Sequence, residues 1–154
     1  MVHMAVATAL HALAAVIWVG GMAFAYWFVR PSLAALAGPD RQTLWRGTFA
    51  RFFPAVWGAA GVLLFSGYHM IFAGLGGFAG AGLHVHLMHG LGIVMILIFA
   101  HVYFAPWRRF KRAVDAGDRE TGARQIERIR RFVAINLTLG LLVVAIGSSG
   151  RWWP

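Results

Sequence analysis

Histidine is the residue type in this chain best suited to chemistry, because imidazole binds metal ions and transfers protons near neutral pH. The chain has seven histidines and no cysteine, which excludes thiolate metal sites and disulfides. Six histidines are predicted near one end of the long apolar segments: His3, His11, His69, His84, His86 and His89. Only His101 lies toward the other end. Ionisable side chains inside a bilayer are costly and usually functional, so the histidines predict a site at one end of the protein.

Helical phase predicts the direction of these side chains. At about 100° per residue, His11 lies on one stripe with Ala7, Ala14, Trp18 and Met22. Small residues on such a stripe let neighbouring helices approach, so this stripe is expected to face inward. In the third apolar segment the small-residue face is also expected to face inward; it contains His86, His89, Gly90, Ile93, Leu97, Ala100 and His101. The opposite face is expected to contact lipid; it contains Leu87, Leu91, Met95, Ile98 and Val102.

Histidines from different helices at similar depth are typical of a haem b site, where two imidazoles bind the iron. His11 is the expected ligand from the first helix, and His86 or His89 is the expected ligand from the third. His69 is then a proton donor on the substrate side or a ligand of a second site. This hypothesis describes a bis-His cytochrome that transfers electrons to or from a quinone, a porphyrinogen or a reactive oxygen species.

Copper is the alternative ligand, since imidazole and thioether groups both bind soft copper ions. His69, Met70, His84 and His86 supply both donor types near one membrane surface and form the alternative site for copper binding or uptake. A third hypothesis is a structural partner subunit whose histidines bind no metal. A homo-oligomer is compatible with all three.

The elements that would position these residues are long apolar segments. The chain has 154 residues, of which 60% are hydrophobic and 12% charged, about half the charged fraction of a soluble domain. Four segments reach the ~20 residues that span a bilayer; they cover about 4–29, 49–72, 84–105 and 132–149. Backbone groups in lipid must be paired internally, so each segment is predicted to be a helix. The fold class is therefore all-α, a single transmembrane four-helix bundle over residues 1–154.

Charge predicts the orientation of the bundle. Thirteen of the fourteen Lys and Arg residues fall in or beside the two connections, residues 30–48 and 106–131, and the exception is Arg151. By the positive-inside rule these connections are cytoplasmic loops, with 114–130 as a surface helix or an extension of the fourth helix. Both termini and the histidines other than His101 then lie on the periplasmic side of a bacterial inner membrane. The net charge of +9 reflects these flanks, so no nucleic acid is expected as a partner.

Several short motifs resemble known membrane families. The first is His11-Ala-Leu-Ala-Ala-Val-Ile-Trp18-Val-Gly-Gly21-Met. The others are Arg51-Phe-Phe-Pro54, Ala100-His101-Val-Tyr103 and Arg130-Arg131-Phe-Val-Ala-Ile-Asn136. Together they resemble the bacterial four-helix protoporphyrinogen oxidase family of the HemJ type and the copper-resistance D (CopD) superfamily.

This resemblance implies a haem-b-associated four-helix membrane protein, and it assigns His11 and His101 to positions of the oxidase family's histidines. That family has a Lys near the outer end of the third helix, where this chain has His89-Gly90. The resemblance therefore implies haem binding rather than protoporphyrinogen oxidation. A membrane haem-dependent oxidoreductase is the enzyme class it leaves open.

Overall fold

Four long helices make up the protein. A computed structural model describes residues 1–153, apart from the side chain of Arg151, and every regular element in that range is helical. The long helices are α1 (Val2–Ala35), α2 (Gly38–Gly74), α3 (Leu83–Asp115) and α4 (Arg119–Ser149). Each is long and apolar enough to span a membrane. The predicted all-α four-helix fold is confirmed, and the protein is a multi-pass membrane protein.

The helices extend beyond the predicted membrane segments. Only residues 36–37 separate α1 from α2, and only residues 116–118 separate α3 from α4. Most of 30–48 and 106–131, predicted as loops, is therefore helical, and the predicted extension of the fourth helix over 114–130 is confirmed in part. Hydropathy marks where lipid contact ends, whereas helices continue while apolar positions recur every three or four residues. Trp45 and Phe49 on α2, and Phe110 and Ala113 on α3, continue that pattern and are buried.

The short connection between α3 and α4 is built from two residues. Gly117 adopts a φ of +71°, which glycine tolerates without steric cost. Asp118 caps α4, because its carboxylate accepts a hydrogen bond of 3.0 Å from the Thr121 backbone N–H. This hydrogen bond lowers the pKa of the Asp118 carboxyl below its ordinary value.

We call the end of the bundle that carries the two tight connections the basic end, and the opposite end, with His3, His69 and His84, the His-rich end. Aromatic side chains fill the core near the basic end. Along α2, the rings of Trp45, Phe49 and Phe53 stack with successive centroids 4.9 Å apart. Trp107 of α3 meets Phe53 edge-on at 5.3 Å, and Phe110 is completely buried. Such ring pairs each contribute about 0.5–1.5 kcal/mol beyond their burial, so they stabilise the packing of α2 against α3 at this end.

Small residues bring the helices together toward the His-rich end. A Cβ added at Gly67 of α2 would lie 3.3 Å from His11 Cε1, and one at Gly74 would overlap the Met4 methyl group. On the other pair of helices, a Cβ at Gly147 of α4 would lie 2.8 Å from Met88 Sδ. Glycine therefore provides the space into which histidine and methionine side chains of the partner helix fit.

The predicted inward face of α3 is wrong. Met95 and Val102, predicted to contact lipid, are 4% and 2% exposed, while Leu97, predicted to face inward, is 64% exposed. His86 and His101 share the exposed side of α3. The prediction assumed that small residues of α3 itself would face the bundle. Instead α4 provides glycines such as Gly140, which the Met95 side chain contacts.

Large apolar side chains on the outside of the bundle face the bilayer. Phe65 is 80% exposed, and Phe24 and Phe28 are also exposed. Four spanning helices with such outward faces imply contact with lipid along the whole bundle.

Candidate metal site at the His-rich end

His3 and His69 form the closest histidine pair in the described part of the chain. Nδ1 of His3 lies 3.1 Å from Nε2 of His69, and the two rings meet edge-on with centroids 5.3 Å apart. Without a metal, one nitrogen donates a hydrogen bond to the other. The separation also allows both nitrogens to bind one ion, since an imidazole nitrogen lies about 2.0 Å from a bound metal.

Two thioether groups accompany this pair. His3 is followed by Met4 on α1, and His69 is followed by Met70 on α2. Met4 packs against Gly74 of α2, and Met70 Sδ lies 3.3 Å from the Thr8 hydroxyl oxygen of α1. Both methionines therefore lie at the same α1–α2 interface as the histidine pair. We call His3, Met4, His69 and Met70 the His-Met cluster.

His11 lies about two turns farther along α1. Its Nδ1 is 2.9 Å from the Ser66 Oγ, and Ser66 is buried. The Ser66 hydroxyl donates its own proton to the Val62 carbonyl oxygen at 2.5 Å, so the Oγ accepts the hydrogen bond from His11 Nδ1–H. The Nε2 of His11 then carries the free lone pair. Metal-binding histidines are typically held in this way, with the second ring nitrogen donating to a fixed acceptor.

The histidines at the start of α3 have other neighbours. Nε2 of His89 lies 3.0 Å from the Tyr68 hydroxyl of α2, and the His89 ring also packs edge-on against Phe78 at 5.0 Å. The His86 ring lies 5.9 Å from Phe78. His84 packs against Gly150 after the end of α4.

His101 lies apart from the other histidines. It is exposed, and its ring packs edge-on against Phe132 of α4 with centroids 4.9 Å apart. This packing supplies a structural reason for a histidine at that position.

The structure thus distributes the four residues predicted to bind copper over three places. His69 and Met70 contact α1, His86 lies beside Phe78, and His84 packs against Gly150 after the end of α4. Within residues 1–153, no three side chains of His, Cys, Asp or Glu come together as a metal site. A complete ligand set at the His-Met cluster therefore needs its thioethers.

The contacts give no support to a haem held between His11 and His86 or His89. His11 contacts Ser66 and Gly67, whereas His86 and His89 contact Phe78. Haem b, its His ligands and its redox partners stay predictions.

His3 was counted among the six histidines of this end but not among the predicted ligands, Met4 was not predicted at all, and Ser66 was not predicted as the partner of His11. A signal for the first two was present, because the dipeptide His-Met occurs at positions 3–4 and again at 69–70. Positions 3–4 lie at the start of α1, and positions 69–70 lie near the end of α2. Because neighbouring antiparallel helices place the start of one beside the end of the other, these two dipeptides come together. Nothing in the sequence pattern selects Ser66 among the polar residues of α2.

Fold and site together define a multi-pass membrane protein with a His and Met cluster at one end. The family model described as copper resistance protein D matches residues 46–149, which is more than half of the chain. The chain belongs to this CopD family, as its motifs suggested. No curated protein and no solved structure matches it.

Proposed function

We propose that this protein binds copper ions at the His-rich end and moves them across the membrane for uptake. The observation that carries the proposal is the His3–His69 pair, whose ring nitrogens are 3.1 Å apart at the α1–α2 interface that Met4 and Met70 also occupy. Half of the copper site predicted from sequence, His69 and Met70, belongs to this cluster. Membership in the copper resistance protein D family supports the choice of metal.

The donor types favour copper in its reduced form. Thioether sulfur is a soft ligand that selects Cu(I), whereas harder cations prefer oxygen. No Asp or Glu lies near the cluster in sequence, since the five acidic residues lie in or close to the two tight connections at the basic end; they are Asp40, Asp115, Asp118, Glu120 and Glu127. A ligand set of neutral imidazoles and thioethers also keeps the charge of the loaded site low, which suits a position at the membrane.

Further donors along α1 support movement of the ion into the bundle. His11 lies eight residues beyond His3, which is about 12 Å along the helix axis, and its Nε2 is free to bind. Deeper still, Met22 and Asn136 line one small cavity of about 20 Å³. The Asn136 side chain is buried, and its Oδ1 has no hydrogen-bond partner in the described part of the chain.

The direction of uptake follows from the charge distribution. The basic end carries thirteen of the fourteen cationic residues, so the positive-inside rule makes it cytoplasmic. The His-Met cluster then lies on the periplasmic side of a bacterial inner membrane.

The binding test uses the full-length protein in detergent micelles, titrated anaerobically with Cu(I) against a competing chelator. His69→Ala is expected to weaken Cu(I) binding by at least about tenfold, since even second-shell partners change metal affinity by about 10–100-fold. His101→Ala is the matched control, because that ring packs on Phe132 outside the cluster. Equal affinity in His69→Ala and the unmodified protein would overturn the site.

The second test measures uptake of Cu(I) into proteoliposomes that contain a copper-sensitive dye. His11→Ala is expected to slow uptake while Cu(I) affinity at the cluster stays within about twofold, because His11 is placed beyond the first binding position. Uptake at the unmodified rate would contradict the role of His11, and no uptake by the unmodified protein would contradict transport altogether.

A further inference from the structure

A cavity of about 660 Å³ opens at the basic end, at the opposite end of the bundle from the His-Met cluster. It lies between the C-terminal part of α1, the N-terminal part of α2 and residues 123–133 of α4. Its volume falls in the range of about 300–1,000 Å³ that is typical of ligand sites. Neither copper binding nor uptake uses it.

The charged groups of this cavity favour an anion. Arg30, Arg41 and Arg130 line it together with one carboxylate, that of Glu127. Glu127 pairs with Arg130 and also lies 3.5 Å from Arg131. Among the ion pairs within residues 1–153, none includes Arg30 or Arg41, although the Arg30 guanidinium lies 5.4 Å from the centroid of the Tyr26 ring. Two guanidinium groups are therefore free to bind phosphate oxygens, which their planar donor geometry fits.

Apart from Gln42, the rest of the lining is mainly apolar and aromatic. Trp45, Phe49 and Ile129 are buried, and the first two stack with centroids 4.9 Å apart. Trp27 lies at the exposed side of the cavity. An amphiphile fits such a lining, with an acyl chain against the aromatic wall and a negative headgroup at the arginines.

We propose that this cavity binds an anionic phospholipid, with its phosphate at Arg30 and Arg41 and an acyl chain against Trp45 and Phe49. The position supports a lipid from the bilayer rather than a soluble ligand, because the arginines flank membrane-spanning segments at the level of lipid headgroups. All five acidic residues share this end with thirteen basic ones, which leaves a net charge of +8 to attract anionic lipid. The proposal is independent of copper.

Native mass spectrometry of the delipidated full-length protein tests it, with phosphatidylglycerol and phosphatidylcholine added in turn. The unmodified protein is expected to bind phosphatidylglycerol more tightly than phosphatidylcholine. The double variant Arg30→Gln/Arg41→Gln is expected to bind phosphatidylglycerol about tenfold more weakly, given the contribution of each basic residue to anionic-lipid binding. The matched control is Arg109→Gln/Arg112→Gln, which removes equal charge at the same end from exposed positions outside the cavity.

A second variant tests the cavity without changing charge. Ala123→Phe places a ring in the cavity from an exposed position of α4 and is expected to weaken phosphatidylglycerol binding with all arginines present. Circular dichroism checks that each variant keeps its helical content. Equal losses in the two double variants, or equal binding of the two lipids, would overturn the proposal. So would displacement of the lipid by millimolar inorganic phosphate, which would indicate an anion site without an acyl-chain pocket.

Discussion

Nδ1 of His3 and Nε2 of His69 face each other at 3.1 Å across 66 positions of sequence. The contact exists because α1 and α2 are antiparallel and because Gly74 leaves room for the Met4 side chain. The geometry of the His-Met cluster therefore depends on helix packing as well as on the ligands themselves.

The first prediction concerns that packing. A Cβ at Gly74 would overlap the Met4 methyl group, so Gly74→Ala is expected to displace this thioether and weaken Cu(I) binding several-fold. Thermal unfolding should change little, because the overlapping atom is the end of a flexible side chain. Gly61→Ala is the control, since a Cβ there has nothing within 4 Å. An unchanged Cu(I) affinity in Gly74→Ala would remove Met4 from the ligand set.

The second prediction separates sulfur from nitrogen ligands. Met70→Leu keeps the volume of the side chain but removes the thioether, so Cu(I) affinity is expected to fall by about tenfold while Zn²⁺ affinity is unchanged. X-ray absorption of the copper-loaded protein should lose a Cu–S contribution. Met88→Leu is the control, because Met88 packs against Gly147 of α4. A parallel loss of Zn²⁺ binding would point to disturbed packing at α1–α2.

The third prediction addresses haem. Protein purified from cells supplied with haem precursors is expected to have no Soret band, because His11 contacts Ser66 on α2 while His86 and His89 lie beside Phe78. Absorbance spectra of the unmodified protein and of His11→Ala decide the point. A sharp Soret band that disappears in His11→Ala would assign His11 to a haem and contradict its role in copper uptake.

The fourth prediction concerns the aromatic core. Phe110 is completely buried beside Phe49 and Trp107. Phe110→Ala is expected to lower the free energy of unfolding by about 3–5 kcal/mol, the usual range for such cavities. Unfolding in mixed detergent micelles measures the change. Phe65→Ala, on the outer face of α2, is expected to cost much less, and similar losses in both would contradict a core at the basic end.

The fifth prediction concerns the cap of α4. The Thr121 N–H lowers the pKa of Asp118 from its ordinary 3.8, so the ionised carboxylate stabilises the helix start above that pH. This stabilisation is lost as the pH falls through the lowered pKa. Amide exchange at Thr121 should therefore accelerate relative to its intrinsic rate at acid pH. Asp118→Asn keeps a capping oxygen without the titration and should remove this pH dependence.

Much of the architecture could be predicted from local sequence. Four apolar segments predicted four helices because a bilayer forces each spanning segment to pair its own backbone groups. The ends of the helices were less predictable, since the amphipathic turns around Trp45 and Phe110 continue the helices after hydropathy falls. The inward stripe of α1, with Ala14, Trp18 and Met22, was also correct, as these residues are buried.

Local sequence was enough to predict the fold class, the separation of six histidines from the basic residues and the inward direction of α1. These properties depend on whether each segment contacts lipid or water and on the spacing of the small and apolar residues within that segment. Helix packing determines that His69 pairs with His3, that His11 donates to Ser66 and that Met95 rather than Leu97 of α3 faces inward. In a bilayer, hydrophobicity does not distinguish the inside of a bundle from the lipid. The partner of each side chain therefore depends on where the neighbouring helix has glycines and on the shapes of its other side chains. The sequence of one segment does not contain this information.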